Sequence, residues 1–128
     1  MVWVSLLKHK DEVSRVFQEL YKLVKAQYKS EINILQSDNG GEYVNQEMKR
    51  FCEEKSIRHQ TSCANTPQQN GLAERQNKQI LEIVRASLFY MKVPRQYWGG
   101  AVQTATYVMN RTPSRVIDFK TPMQRLHE

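Results

Sequence analysis

The sequence predicts an α/β fold, a small three-stranded sheet flanked by helices, and three observations carry that prediction. Apolar runs at residues 2–7 and 32–37 and the short segment Ile57-Arg-His-Gln60 have the length of strands. Between and after them lie longer segments whose apolar residues recur every three or four positions, the spacing of one helical face. Gly, Asn and Pro mark the junctions at 39–41, 67–71, 94 and 113. The chain of 128 residues has no internal repeat, no low-complexity run and no linker, and reads as one domain. A domain of that size buries roughly two-thirds of its unfolded surface.

Each element has its own reason. Residues 11–29 place Val13, Val16, Phe17, Leu20 and Val24 on one stripe, expected to cover a sheet face. Arg15, Lys22, Lys25 and Lys29 on its other side read as a solvated face. Residues 32–37 form a short strand. Asn45 can accept backbone N–H bonds and so start a helix over 45–55, and residues 57–60 supply a second, parallel strand. Residues 61–70, rich in Thr, Asn, Gln and Pro, show no periodicity and are expected to be a mobile loop. A long helix follows to about residue 91, burying Ile80, Val84 or Ile83, Leu88 and Met91. Pro94 separates it from a helix over 95–110, whose stripe is Trp98, Ala101, Val102, Ala105, Val108 and Met109. Gly99-Gly100, costing about 1 kcal/mol each against Ala, implies a close helix approach or a weak first turn. Thr112-Pro113 ends that helix and Thr121-Pro122 opens a final short one. Tyr43, Tyr97 and Trp98 offer faces for base stacking, but read as packing residues.

Composition narrows the function classes. Nineteen Lys and Arg against 13 Asp and Glu give a net charge of +6, a balance that favours polyanionic partners without selecting one. The run at 2–7 is too short for a signal-peptide core or a membrane helix, so a nuclear or cytoplasmic location is expected, with no membrane partner and no small-molecule cofactor. The two cysteines, Cys52 and Cys63, form no Cys-x-x-Cys pair. Cys52 shares a helical face with Met48 and reads as core. A His59–Cys63 metal pair would need two further ligands, which His9 and His127 do not supply at a patterned spacing, so no zinc site is expected.

Two carboxylates stand out. Asp38 closes the run at 32–37 and is followed by Asn39-Gly40-Gly41-Glu42-Tyr43, a turn that leaves it at the strand's carboxyl end, where α/β sheets collect ligands. Glu74 opens the long helix, and residues 39–73 separate the two acids. Carboxylates at element ends can share a metal ion. Glu74 also has a structural reading: if Gly71 is the N-cap, it occupies the third helical position of a capping box. Lys78 lies one turn beyond Glu74 on the same side, either as a cation for a DNA phosphate or as half of a helix ion pair contributing about 0.2–0.5 kcal/mol.

These acids sit in Leu35-Gln-Ser-Asp-Asn-Gly-Gly-Glu-Tyr43 and Thr66-Pro-Gln-Gln-Asn-Gly-Leu-Ala-Glu-Arg-Gln-Asn77. Together with Tyr97-Trp98, Asn110-Arg-Thr-Pro113 and Thr121-Pro122, those segments resemble the catalytic core of copia-type retrotransposon integrases along nearly the whole chain. The resemblance implies an RNase H-like fold and a polynucleotidyl transferase that integrates DNA with Mg²⁺ or Mn²⁺. In-line displacement at a phosphodiester is served by two metal ions about 4 Å apart, which stabilise the attacking and leaving oxygens. Mg²⁺ takes its oxygens from one or two carboxylates, water and phosphate.

The family uses three carboxylates, and Asp38 and Glu74 match the last two. The first is an Asp on the central strand, placed shortly upstream of a segment like residues 3–10, and it has no counterpart here. Neither Glu42 nor Asp11-Glu12 lies on that strand. The expectation is therefore an incomplete integrase core over 1–128, an RNase H-like fold lacking its first, central strand and reduced to a three-stranded remnant. Its exposed edges would pair with residues 2–7 or with a second chain, or leave the protein marginal and prone to aggregate. Such a chain is expected to hold one metal ion weakly and to be inactive. The resemblance also places Asn70, Gly71, Lys78 and Asn39 at the DNA and implies a homo-oligomer. A non-catalytic nucleic-acid-binding or interaction module derived from a retrotransposon is the alternative.

Overall fold

A computed structural model describes residues 1–61 and 71–128. They belong to two compact units, one of Leu7–Leu72 and one of Met1–Leu6 with Ala73–Glu128.

In the first unit a 3₁₀ turn, Lys10–Glu12, leads into α1 (Val13–Tyr28), which ends on Lys29 in the left-handed conformation at φ 49°. Then come β1 (Ile34–Ser37), α2 (Gln46–Glu54) and β2 (Arg58–Thr61). The strands are parallel, with Ile34 opposite Arg58 and Ser37 opposite Thr61. Parallel neighbours need a crossover, and α2 provides it. Asn45 starts α2 as its sequence position suggests, its side-chain oxygen accepting the Met48 N–H at 2.8 Å. The core is Tyr21, Met48, Phe51, Cys52 and Ile57, with Val13, Phe17, Ile32 and Leu35 packed against it. The Phe51 ring meets Phe17 and Tyr21 edge to face, at 5.9 and 5.5 Å between centroids. Side chains alternate along a strand, so Leu35 and Ser37 share the core side while Ile34 and Gln36 turn outward, Ile34 remaining 52% exposed.

In the second unit α3 (its bounds Gly71–Tyr90 reach two residues into the first), α4 (Trp98–Arg111) and α5 (Pro122–Leu126) are the helices. Ile80 and Val84 of α3 pack with Val102 and Ala105 of α4. Thr121 caps α5, accepting the Gln124 N–H at 3.1 Å while its own N–H donates to Gln124 Oε1 at 2.9 Å.

Several expectations need correction. Among the described residues the sheet has two strands, not three. Residues 2–5 alternate in burial as a strand would, while Leu6 and Leu7 are both exposed, and the partners are helical: Val2 and Val4 pack on the α3–α4 cluster. The Val2 N–H donates to Asn110 Oδ1 at 2.8 Å, and its carbonyl accepts from Asn110 Nδ2 at 2.7 Å. One side-chain amide thus satisfies backbone groups that a neighbouring strand would otherwise pair. Met91 lies beyond the end of α3 and is exposed rather than core. Tyr97, Trp98 and Val108 are also exposed, because the buried stripe of α4 runs through Val102, Ala105, Thr106 and Asn110. The close approach at Gly99 is not made by a helix: a Cβ there would lie 2.9 Å from Leu6 Cδ1. No helix among the described residues is long and apolar enough to cross a membrane.

Candidate metal and DNA site

Asp38 follows directly on β1 and is exposed. Its Oδ1 accepts the Gly40 N–H at 2.9 Å, a local turn typical of Asp. The Tyr43 and Val44 N–H groups both donate to the Gly40 carbonyl, at 2.9 and 3.1 Å. The Asn45 amide donates to the carbonyls of Glu42 at 2.9 Å and Gly41 at 3.3 Å, so the cap of α2 also holds the loop after Asp38. The Glu42 side chain lies close over Gly40. A Cβ there would sit 2.8 Å from the Glu42 carboxylate, which folds back over it and lies 3.8 Å from Lys10 Nζ. Asn39 is exposed in the bend.

Behind the carboxylate is a polar pair that the sequence reading did not single out. Ser37, 5% exposed, has its Oγ 3.0 Å from the Asp38 carbonyl oxygen and 2.7 Å from His59 Nε2. His59 also borders a cavity of about 580 Å³ together with Tyr43, Asn45, Lys49 and Cys52. Burial pushes the Tyr43 phenol above its ordinary value, and the negative charges of Asp38 and Glu42 add to the shift. Burial likewise raises the Cys52 thiol, in keeping with its core position. Tyr43 packs against the core, as expected.

Glu74 and Lys78 are exposed and one turn apart on α3. Among the described residues neither takes part in an ion pair, so the helix-pair reading of Lys78 is not realised. Gly71 is the first residue of α3, which makes Glu74 the fourth and removes it from the third helical position that a Gly71 cap would give it. A Cβ on Gly71 would meet nothing within 4 Å. Asn70, Cys63 and the rest of the 62–70 loop lie outside the described residues. Asp38 belongs to the first compact unit and Glu74 and Lys78 to the second. Among the described residues no group of three or more His, Cys, Asp or Glu side chains is placed to hold a metal ion.

The profile of the integrase core domain matches residues 1–67. The chain is 46% identical over 121 residues to the retrovirus-related Pol polyprotein from transposon TNT 1-94 of Nicotiana tabacum, an alignment covering 94% of the chain and 9% of that protein. Against the Pol polyprotein from transposon RE2 of Arabidopsis thaliana it is 36% identical over 124 residues, covering 97% of the chain and 8% of the relative. The chain therefore spans under a tenth of the length of these polyproteins. In fold it is similar to the HTLV-2 integrase catalytic core domain in complex with magnesium (dimeric form), with a TM-score of 0.68 and 23% identity over 95% of this chain and 71% of that one. A simian T-cell lymphotropic virus intasome in complex with the PP2A regulatory subunit B56 gamma also matches, with a TM-score of 0.68 and 24% identity over 91% of this chain and 40% of that one.

Proposed function

This chain belongs to the integrase core domain family, and from that premise we propose that it is the part of a copia-type retrotransposon integrase core that binds DNA and a divalent cation, with Asp38 and Glu74 as the metal-holding carboxylates. The observation that carries the reading is Asp38 itself: an exposed acid at the carboxyl end of a parallel strand, on a loop fixed by Gly40 and Asn45. The donor chemistry fits. Asp38 and Glu74 are hard oxygen donors, exposed, and in no ion pair among the described residues. Mg²⁺ and Mn²⁺ accept such carboxylates with water in the remaining positions, and the similar HTLV-2 core is one in complex with magnesium. When bound, the cation would stabilise charge on the phosphodiester oxygens.

The chain's own residues do the rest. The Gly40 N–H holds Asp38 Oδ1, so Oδ2 is the oxygen assigned to the metal. Lys78 meets a DNA phosphate near Glu74, and Asn39, Asn70 and Gly71 contact backbone or base edges. With two carboxylates in the set, residues 1–128 by themselves bind one cation weakly and do not complete strand transfer. Residues 1–128 act as one core domain, in the nucleus or cytoplasm where its DNA is. Self-association is part of the reading, supported by HTLV-2 cores seen as dimer and trimer.

DNA binding and strand transfer on a preprocessed DNA end test this. Affinity should fall with salt, the Lys78→Ala change should reduce the salt slope by about 0.9, and strand transfer should not exceed that of Asp38→Asn. Salt-independent binding that Lys78→Ala leaves unaltered would remove the DNA role.

A further inference from the structure

We propose that Ser37 and His59 are positioning residues for Asp38, acting through a two-step hydrogen-bond relay from the imidazole to the Asp38 main chain. This rests on the reading of Asp38 as a metal-holding carboxylate. A serine hydroxyl has one proton to donate. The Ser37 Oγ–H donates it to the Asp38 carbonyl at 3.0 Å, so the 2.7 Å contact to His59 requires the imidazole Nε2 to be the donor. With the Oγ–H on the carbonyl, the relay assigns the ring hydrogen to Nε2, and its order is Nε2–H to Oγ, then Oγ–H to the carbonyl.

The sheet register makes this possible. Leu35 lies opposite His59 and Ser37 opposite Thr61, so Ser37 and His59 are diagonal neighbours on the same face of a parallel pair. Asp38 is consequently held at two points: its carbonyl by Ser37, and its carboxylate Oδ1 by the Gly40 N–H at 2.9 Å. Ser37 is 5% exposed, which leaves no path for a substrate to its Oγ and argues against a nucleophile–base pair. Fixing the peptide from which a ligand projects limits the orientations the carboxylate explores before a cation arrives, the usual role of groups behind metal ligands.

The test uses the full 128-residue chain and reads amide hydrogen exchange by NMR, with Mn²⁺ affinity as a second measurement. Ser37→Ala and His59→Leu should each speed exchange of the Gly40 N–H, by roughly fivefold for a lost hydrogen bond. The Met48 N–H, held by Asn45, should not change. Ser37→Thr and His59→Gln, which restore a hydroxyl and a side-chain N–H donor, should bring Gly40 back toward the wild-type rate. Unchanged Gly40 exchange in Ser37→Ala, or equal acceleration at Met48, overturns the inference whatever the metal does. Mn²⁺ affinity separates the two proposals: if Asp38→Asn binds Mn²⁺ as tightly as wild type, the metal-site reading fails while the relay is still judged on Gly40. If Asp38→Asn weakens binding and Ser37→Ala and His59→Leu do not, the relay has no part in holding the ligand and the inference falls.

Discussion

Asn45 shows how much one side chain can organise. Its oxygen accepts the Met48 N–H and its nitrogen donates to Glu42 and Gly41, so the start of α2 and the loop after Asp38 depend on the same amide. Replacing it with Ala should destabilise the protein by about 1–2 kcal/mol, the upper part of the usual range for an N-cap, read from urea unfolding. A loss near zero would mean that the loop holds itself. Its capping role was legible because a polar residue before a helical pattern has few other uses. Tyr43 carries a second consequence. Its folded-state value is raised above the usual phenol value of about 10, so the folded protein holds that proton more tightly than the unfolded chain. The stabilisation is complete below about pH 10 and is lost as pH rises through the raised value. Tyr43→Phe should therefore lose less stability than wild type between pH 9 and 11, and parallel unfolding curves would contradict the assigned burial.

At the scale of elements, the sequence located the major helices and both strands among the described residues, with most ends shifted by a residue or two and the start of α4 by three, where a 3₁₀ turn over Arg95–Tyr97 precedes it. The periodic patterns mistook what residues 2–7 pair with. Alternating apolar residues mark an extended segment in contact with a core, but do not say whether its backbone partner is a strand. Here the partner is Asn110, within Asn110-Arg-Thr-Pro113, a motif quoted for its likeness to a family and whose first residue turns out to be a clamp. Asn110 is 5% exposed, and Asn110→Ala removes both bonds to Val2, for an expected loss of about 2–3 kcal/mol. Deleting residues 1–4 should cost much less in that variant than in wild type, since the two changes remove the same contacts. Full additivity in urea unfolding would show that the clamp contributes nothing. The exposed Met91, Trp98 and Val108 were misread for a related reason: periodicity identifies a stripe, while its end and margins depend on where the neighbouring helix stops.

For the whole molecule, the family was readable because the acids occur within long motifs rather than as isolated carboxylates. The relay behind Asp38 was not, because it depends on strand register: Ser37 and His59 are 22 positions apart in sequence and meet only once β1 and β2 align. The net charge of +6 sets the electrostatic background for a polyanion, and Lys78 is the local cation tied to the proposed chemistry. The most direct measurement is Mn²⁺ binding, by electron paramagnetic resonance, to the wild-type chain and to Asp38→Asn and Glu74→Gln singly and together. A shared cation predicts weak binding by wild type, loss in either single variant, and no further loss in the double. Binding that survives both single substitutions would contradict the account at its centre.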